Sequence, residues 1–446
     1  MKCNLLVFFL VVSFFLNGCV TLGDRLVNKL SSGDLERVSP DDEFDRFYNS
    51  LFIVDLHADT LLWKRNSTKH LNHGHLDFPR LKESNVGLQV LTIVTRYPLA
   101  SKVNDLDCHK EDGLDAVGFI EMEPNLTKRA MIQINDFNEL VESITRQATS
   151  PEGDGIELIP IRSAEDLAQL IKKRKSGNKS IGAILGFEGL QVLGYENNYL
   201  DVFHNFYSQG IRLASLTHHF DNRFAGSNTG CQRYGLTQDG YALLQEMLSH
   251  QMIIDLAHAS PKTIIDVQQA MRMASESLPK AVLVSHTGIQ SLCPNSRNLS
   301  IEDIQMIIKS NGVIGVIYSD EIICARGEQR KDVFNQIIAT FNKLHEILSD
   351  PSFSTDFVNK QYNPADYIAL GSDFDGATTT PFDVTGIKQL IYALRQQMDH
   401  TGKRRFTDDD LRKIAGANAC RVLAEGLPGG NKENASKVCQ SFLSIK

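Results

Sequence analysis

The chain has 446 residues, 42% hydrophobic and 22% charged, which is enough apolar material for a large core and excludes a disordered polymer. Its 54 acidic and 46 basic side chains give a formal net charge of −8. With no basic footprint, nucleic acid is not expected as a partner, nor is electrostatic docking on a membrane.

In chain order, Lys2 precedes an apolar run at 5–16 that is too short to span a bilayer and has the layout of a secretory signal over residues 1–18. Leu16-Asn17-Gly18-Cys19 resembles the lipobox of bacterial lipoproteins, whose cysteine becomes the lipidated first residue of the mature protein. The alternative is an ordinary cleaved signal with an incidental cysteine. Val20 in place of Asp resembles the outer-membrane sorting pattern, so an exported, lipid-anchored envelope protein is expected, at the outer rather than the inner membrane. Residues 19–46 are polar and read as a tether and lead-in segment.

The folded domain is expected over 47–425. Short apolar runs at 52–54, 88–94, 181–185, 211–216, 252–256, 281–284, 313–317 and 367–370 alternate with helical patterns, as parallel strands covered on both faces do. Ser260-Pro261, Ser300 with Asp303, and Thr407 mark helix starts. Eight strand-helix units fit a (β/α)8 TIM barrel, although a doubly wound open sheet has similar local patterns. The segment 98–162 breaks the rhythm and is expected to be a helical excursion over the C-terminal face, and 426–446 a polar, peripheral tail. Besides Cys3 and Cys19, six cysteines remain in an oxidising setting, where disulfides can form but sequence cannot pair them.

Strand ends favour the barrel over the open sheet, because C-terminal ends converge on one mouth. His57 and Asp59, two apart, follow the first run; Glu188, His218, His258, His286 and Asp373 follow later ones. Two imidazoles and a carboxylate suit zinc or a similar cation, whereas any one of them alone reads better as a hydrogen-bonded structural residue. His75-Leu76-Asp77 repeats the HxD spacing, but no apolar strand precedes it, so a polar loop is expected there.

Taken in order, His57-Ala58-Asp59, Gly186-Phe187-Glu188-Gly189, Ile254-Asp255-Leu256-Ala257-His258-Ala259-Ser260, Ser285-His286, Arg297-Asn298 and Gly371-Ser372-Asp373-Phe374-Asp375-Gly376 resemble the signatures of the membrane (renal) dipeptidase family, over about 47–423. The resemblance implies two zinc ions per chain: His57 and Asp59 on one, His258 and His286 on the other, and Glu188 bridging them. It implies that His218 contacts the substrate carbonyl and stabilises the oxyanion, that Arg297 clamps the free carboxylate, and that Asp373 handles the proton and the scissile nitrogen, with Asp375 as the fallback. The implied reaction is hydrolysis of a dipeptide by a metal-bridged hydroxide. The segment after His218 departs from the Asn-rich, Pro-Trp-containing pattern of animal members, which leaves side-chain preference open. Tyr318 is not a secure match for their carboxylate-binding tyrosine and is expected simply to pack.

Two alternatives stand beside this: another barrel metallohydrolase (a cyclic amidase, lactonase or deaminase), and a non-catalytic surface binding lipoprotein. The oligomeric state stays open, with a homodimer among the options.

Overall fold

A computed structural model describes residues 23–31, 41–96, 123, 125–275, 278, 280–325, 332–354 and 362–440. The signal run, Cys19 and Cys108 lie outside the described residues.

All eight apolar runs are strands: β1 Ile53–Ala58, β2 Val86–Val94, β3 Ile181–Glu188, β4 Ile211–Ser215, β5 Ile253–Asp255, β6 Val282–Thr287, β7 Val313–Val316 and β8 Ile368–Leu370. Each pairs in parallel with the next, and β8 returns to β1 through Leu370 and Asp55, which closes the sheet and decides for the barrel. Strand residues of β1, β2 and β3 are buried throughout, which explains why their sequences show continuous apolar runs rather than alternation. The covering helices start where their caps announce them. Ser260 accepts from Thr263 N, and Ser300 with Asp303 and Thr407 with Asp410 form complete capping boxes. Inside, Gly315 and Gly371 allow close approach of three backbones, since a Cβ on either would fall within 2.0 Å of Ser285 O.

The excursion contains a helix, Leu126–Ala148, and a short strand, Leu158–Pro160, which extends the sheet beside β3. The helix is fastened to the mouth end of β2: Gln133 Nε2 donates to Val94 O and Arg129 Nη1 to Thr95 O.

Two expectations need correction. The lead-in segment is packed rather than free in its described parts, 23–31 and 41–46. Lys29–Leu30 pairs in parallel with Thr379–Thr380, Asp24 is buried, and helix Asp42–Asn49 buries Phe44, Phe47 and Tyr48, so folded structure begins well before Phe47. The C-terminal tail is docked, since helix Lys432–Gln440 is joined by Cys420–Cys439 to helix Asn418–Gly426 and Leu427 and Ala435 are buried. His75-Leu76-Asp77 is a loop as expected, but a buried one: His75 and Asp77 are fully buried, and Asp77 caps helix Phe78–Glu83 while binding Arg80. A second disulfide joins Cys293 to Cys324, and Cys231 is also disulfide-bonded.

Candidate active site at the barrel mouth

The ends of β1, β3, β4, β5, β6 and β8 bring their polar residues to one place. Glu188, the last residue of β3, is central: its Oε1 lies 2.9 Å from His258 Nε2, 3.3 Å from His286 Nε2 and 3.6 Å from His57 Nε2, and its Oε2 lies 3.3 Å from His218 Nε2. Asp59 Oδ1 and Asp373 Oδ1 approach His57 Nε2 at 3.4 and 3.9 Å. Arg297 lines the same cavity as Glu188, His218 and Asp373, with its Nη2 donating to His286 O at 2.9 Å. The five expected ligands therefore converge, together with His218, Arg297 and Asp373.

Buried carboxylates not assigned a role by sequence hold the strand ends in place. Asp55 accepts from Ser372 N at 2.8 Å and Ser372 Oγ at 2.6 Å, and Asp255 accepts from Ala257 N and Ser285 N, each at 2.9 Å. The backbone turns sharply at two site residues: His258 and Asp373 have φ of 64° and 62°, in the left-handed region that a non-glycine residue adopts only when its surroundings impose it. Ser285 Oγ lies 2.8 Å from His286 Nδ1 and 3.4 Å from His57 Nδ1, and Thr92 Oγ1 donates to Asp59. Thr92 and Ser285 were missed as site residues; the available signal was a hydroxyl within an otherwise apolar strand.

The electrostatics suit a cation. Burial, then the Asp59 charge, pushes the Glu188 carboxyl well above the ordinary carboxylate range, and burial lifts Asp373 to about 7. Burial drives His258 and His286 well below the usual imidazole value and His218 down to about 3, so these rings are neutral. At His57 burial is outweighed by Asp59 and Glu188, and its pKa rises to about 10. His258 Nε2 and His286 Nε2 stand 3.2 Å apart, Glu188 Oε1 reaches both, and the His57 ring lies 3.8 Å from that of His286. The neutral His258 and His286 lone pairs and the carboxylate oxygens converging in a buried pocket suit zinc, which on binding would displace the proton His57 otherwise holds among Asp59 and Glu188, and His57-Glu188-His286 and His57-Asp59-Asp373 each form a group with metal-binding reach.

Residues 42–436 match the family described as Membrane dipeptidase (Peptidase family M19). The chain belongs to the membrane dipeptidase family. It is 25% identical over 387 residues to Dipeptidase aclJ of Aspergillus oryzae, covering 84% of this chain and 78% of that protein. Among solved structures, it resembles a metallopeptidase from Rhodobacter sphaeroides liganded with a phosphinate mimic of the dipeptide L-Ala-D-Ala, at TM-score 0.57 and 21% identity, with 84% and 99% of the two chains covered. It also resembles the probable dipeptidase PvdM from Pseudomonas aeruginosa, at TM-score 0.59 and 16% identity, with 88% and 98% covered. As a member of this peptidase family the protein is an enzyme, a metal-dependent hydrolase of peptide bonds.

Against the membrane dipeptidase pattern, the two remaining candidates lie outside the cavity. Asp375 is fully buried and bound to Arg65 Nη1 at 2.7 Å, Thr60 Oγ1 at 2.8 Å and His75 N at 2.7 Å, which fixes it as a scaffold carboxylate. Tyr318 is fully buried with its ring edge-on to Phe374 at 5.7 Å, so it packs as expected, and Ile317 faces the cavity in its place. His219, next in sequence to His218, also lines the cavity, its ring 4.1 Å from that of His218 and 5.0 Å from that of His258.

Proposed function

We propose that this protein is an exported, lipid-anchored dipeptidase that uses two zinc ions, one held by His57 and Asp59, the other by His258 and His286, with Glu188 between them. The observation that carries this is the position of Glu188, whose Oε1 lies within 3.6 Å of three imidazoles from three strands. Such a metal pair supplies an activated water at neutral pH and a Lewis acid for the scissile carbonyl.

The chain's own groups do the rest. Asp373, whose Oδ1 lies 3.9 Å from His57 Nε2 in the same cavity, takes the proton of the attacking water and returns it to the leaving nitrogen. His218 is oriented by Nδ1, which donates to Arg96 O at 3.1 Å and leaves Nε2 facing the centre. Nε2, 3.3 Å from Glu188 Oε2, is thereby the His218 atom that would meet an oxyanion formed at the centre, donating to it once that nitrogen carries a proton. Arg297 keeps guanidinium donors beyond its bond to His286 O, and a fork of that kind selects a free carboxylate next to the scissile bond. Requiring that carboxylate places the scissile bond one residue from a free C-terminus, as in a dipeptide, and excludes internal bonds of proteins. The disulfides Cys293–Cys324 and Cys420–Cys439 support an oxidising, exported setting.

The test is a panel of L,L- and L,D-dipeptides and their C-terminal amides, with native, chelated and zinc-restored enzyme. Turnover of free dipeptides, lost with the metal and largely lost on amidation, is expected. Metal-loaded protein that cleaves no dipeptide would transfer the chain to another barrel hydrolase chemistry, and protein without metal would favour a binding role.

A further inference from the structure

A separate group of metal-binding side chains lies on the outside of the barrel. His204, on helix Tyr199–Ser208, faces Glu246 and His250 at the end of helix Gln238–Ser249, and one ligand atom from each lies within 4.8 Å of the others. Glu246 and His250 are four apart, so one helical face presents both. Glu246 Oε2 is the hub, 3.1 Å from His204 Nε2 and 3.5 Å from His250 Nδ1. Zinc bonds of about 2.0–2.1 Å in a tetrahedron put neighbouring ligand atoms roughly 3.3 Å apart, so both separations are already near what a bound ion needs.

The rings are also held in place. His250 packs edge-on against Tyr207 at 4.9 Å and Phe203 at 5.8 Å, and Tyr207 donates to His250 O at 2.8 Å. His250 Nδ1 is also 2.9 Å from Glu246 O and 3.1 Å from Ser249 Oγ, so a cation bound there displaces the proton that this nitrogen donates to Glu246 O. The three side chains are 45%, 34% and 32% exposed, which leaves the remaining coordination positions open to water. Both helices run back from the mouth, and His250 stands just before β5 begins, so the group lies toward the end of the barrel opposite the active site.

We propose that His204, Glu246 and His250 form an additional site for a borderline divalent cation such as zinc, which ties two neighbouring outer helices together. The bland alternative, a surface histidine-carboxylate pair, contributes little to stability and has no preference for metal. The site is independent of the active-site assignment.

Full-length protein loaded with its active-site metal is titrated with zinc, and bound metal and thermal midpoint are followed in wild type and in a His204→Gln/His250→Gln variant. One more zinc equivalent per chain in wild type is expected, with a zinc-dependent rise in midpoint that the variant lacks and equal dipeptide turnover in both. Identical zinc content and identical midpoints across the titration would overturn the proposal. Glu246→Gln, which keeps both rings, should weaken the extra equivalent roughly tenfold or more; unchanged affinity would equally overturn it. Loss of dipeptide turnover in every form would count against the active-site reading and leave this one standing.

Discussion

His258 and Asp373 hold left-handed backbone at a cost of about 1–3 kcal/mol each, and both point into the cavity. Asparagine tolerates that conformation, so Asp373→Asn separates geometry from proton transfer. Its thermal midpoint should stay within a degree or two of wild type, about 0.5 kcal/mol, while kcat falls about 10²- to 10⁴-fold. A variant that unfolds early, or one with normal kcat, would remove Asp373 from the proton path. At Arg297 the expected effect is on binding. If Arg297 pairs with the substrate carboxylate as proposed, Arg297→Ala deletes a buried charge worth about 2–5 kcal/mol, so KM for dipeptides should rise at least about 30-fold and the discrimination against C-terminal amides should shrink. Steady-state kinetics on the free and amidated substrates read both. The ligand residues were legible in the sequence because each metal-binding type stands directly after an apolar run. Thr92 and Ser285 were not, because a lone hydroxyl in a strand looks the same whether it orients a ligand or merely packs.

Between elements, the loop after β8 is held by a buried chain of charges: Asp24 accepts from Arg65 Nε at 2.6 Å, and Arg65 in turn binds Asp375. Burial works against ionisation of Asp375, but Arg65 and then His75 hold its carboxyl below the ordinary value of 3.8. The unfolded chain therefore takes up this proton at higher pH than the folded one. The stabilisation is complete above the ordinary carboxylate value and is lost as pH falls through the lower folded value. Asp375→Asn leaves buried Arg65 with Asp24 as its carboxylate partner and should cost about 1.5–3 kcal/mol at neutral pH, and denaturant melts from pH 7 down to 3 should show the difference from wild type narrowing at the acid end. A constant difference across that range would exclude the ion pair as the cause. The sequence showed Asp375 beside Asp373 in one motif, but which carboxylate faces the cavity depends on a local turn with φ of 62° and 63° at the two residues, which no alternation rule anticipates. His75-Leu76-Asp77 escaped for a related reason: its burial comes from the lead-in strand and the β8 loop folding over it, contacts distant in sequence.

For the whole molecule, the barrel was readable because eight continuous apolar runs with helix caps between them specify parallel strands, while closure depends on one long-range pairing, β8 on β1. The lead-in and the tail were misread because their anchors are non-local: a two-residue strand pair, ion pairs such as Arg65–Asp24 and Arg395–Glu43, and a disulfide. The Cys420–Cys439 bridge spans 19 residues, so Cys439→Ser should lower stability by about 3 kcal/mol, seen as an earlier thermal midpoint, with KM for dipeptides unchanged. A shift in KM would mean that the C-terminal helix reaches the active site. At the other end, Lys29–Leu30 lies against Thr379–Thr380, and Thr379 lines the catalytic cavity. Only Val20, Thr21 and Leu22 separate the proposed lipid-bearing Cys19 from the described residues, which begin at Gly23, a reach of at most about 14 Å at roughly 3.5 Å per residue. An acylated chain would thus ride with its catalytic opening turned toward the lipid headgroups, and small peptides would have to arrive sideways through the thin aqueous gap beneath it.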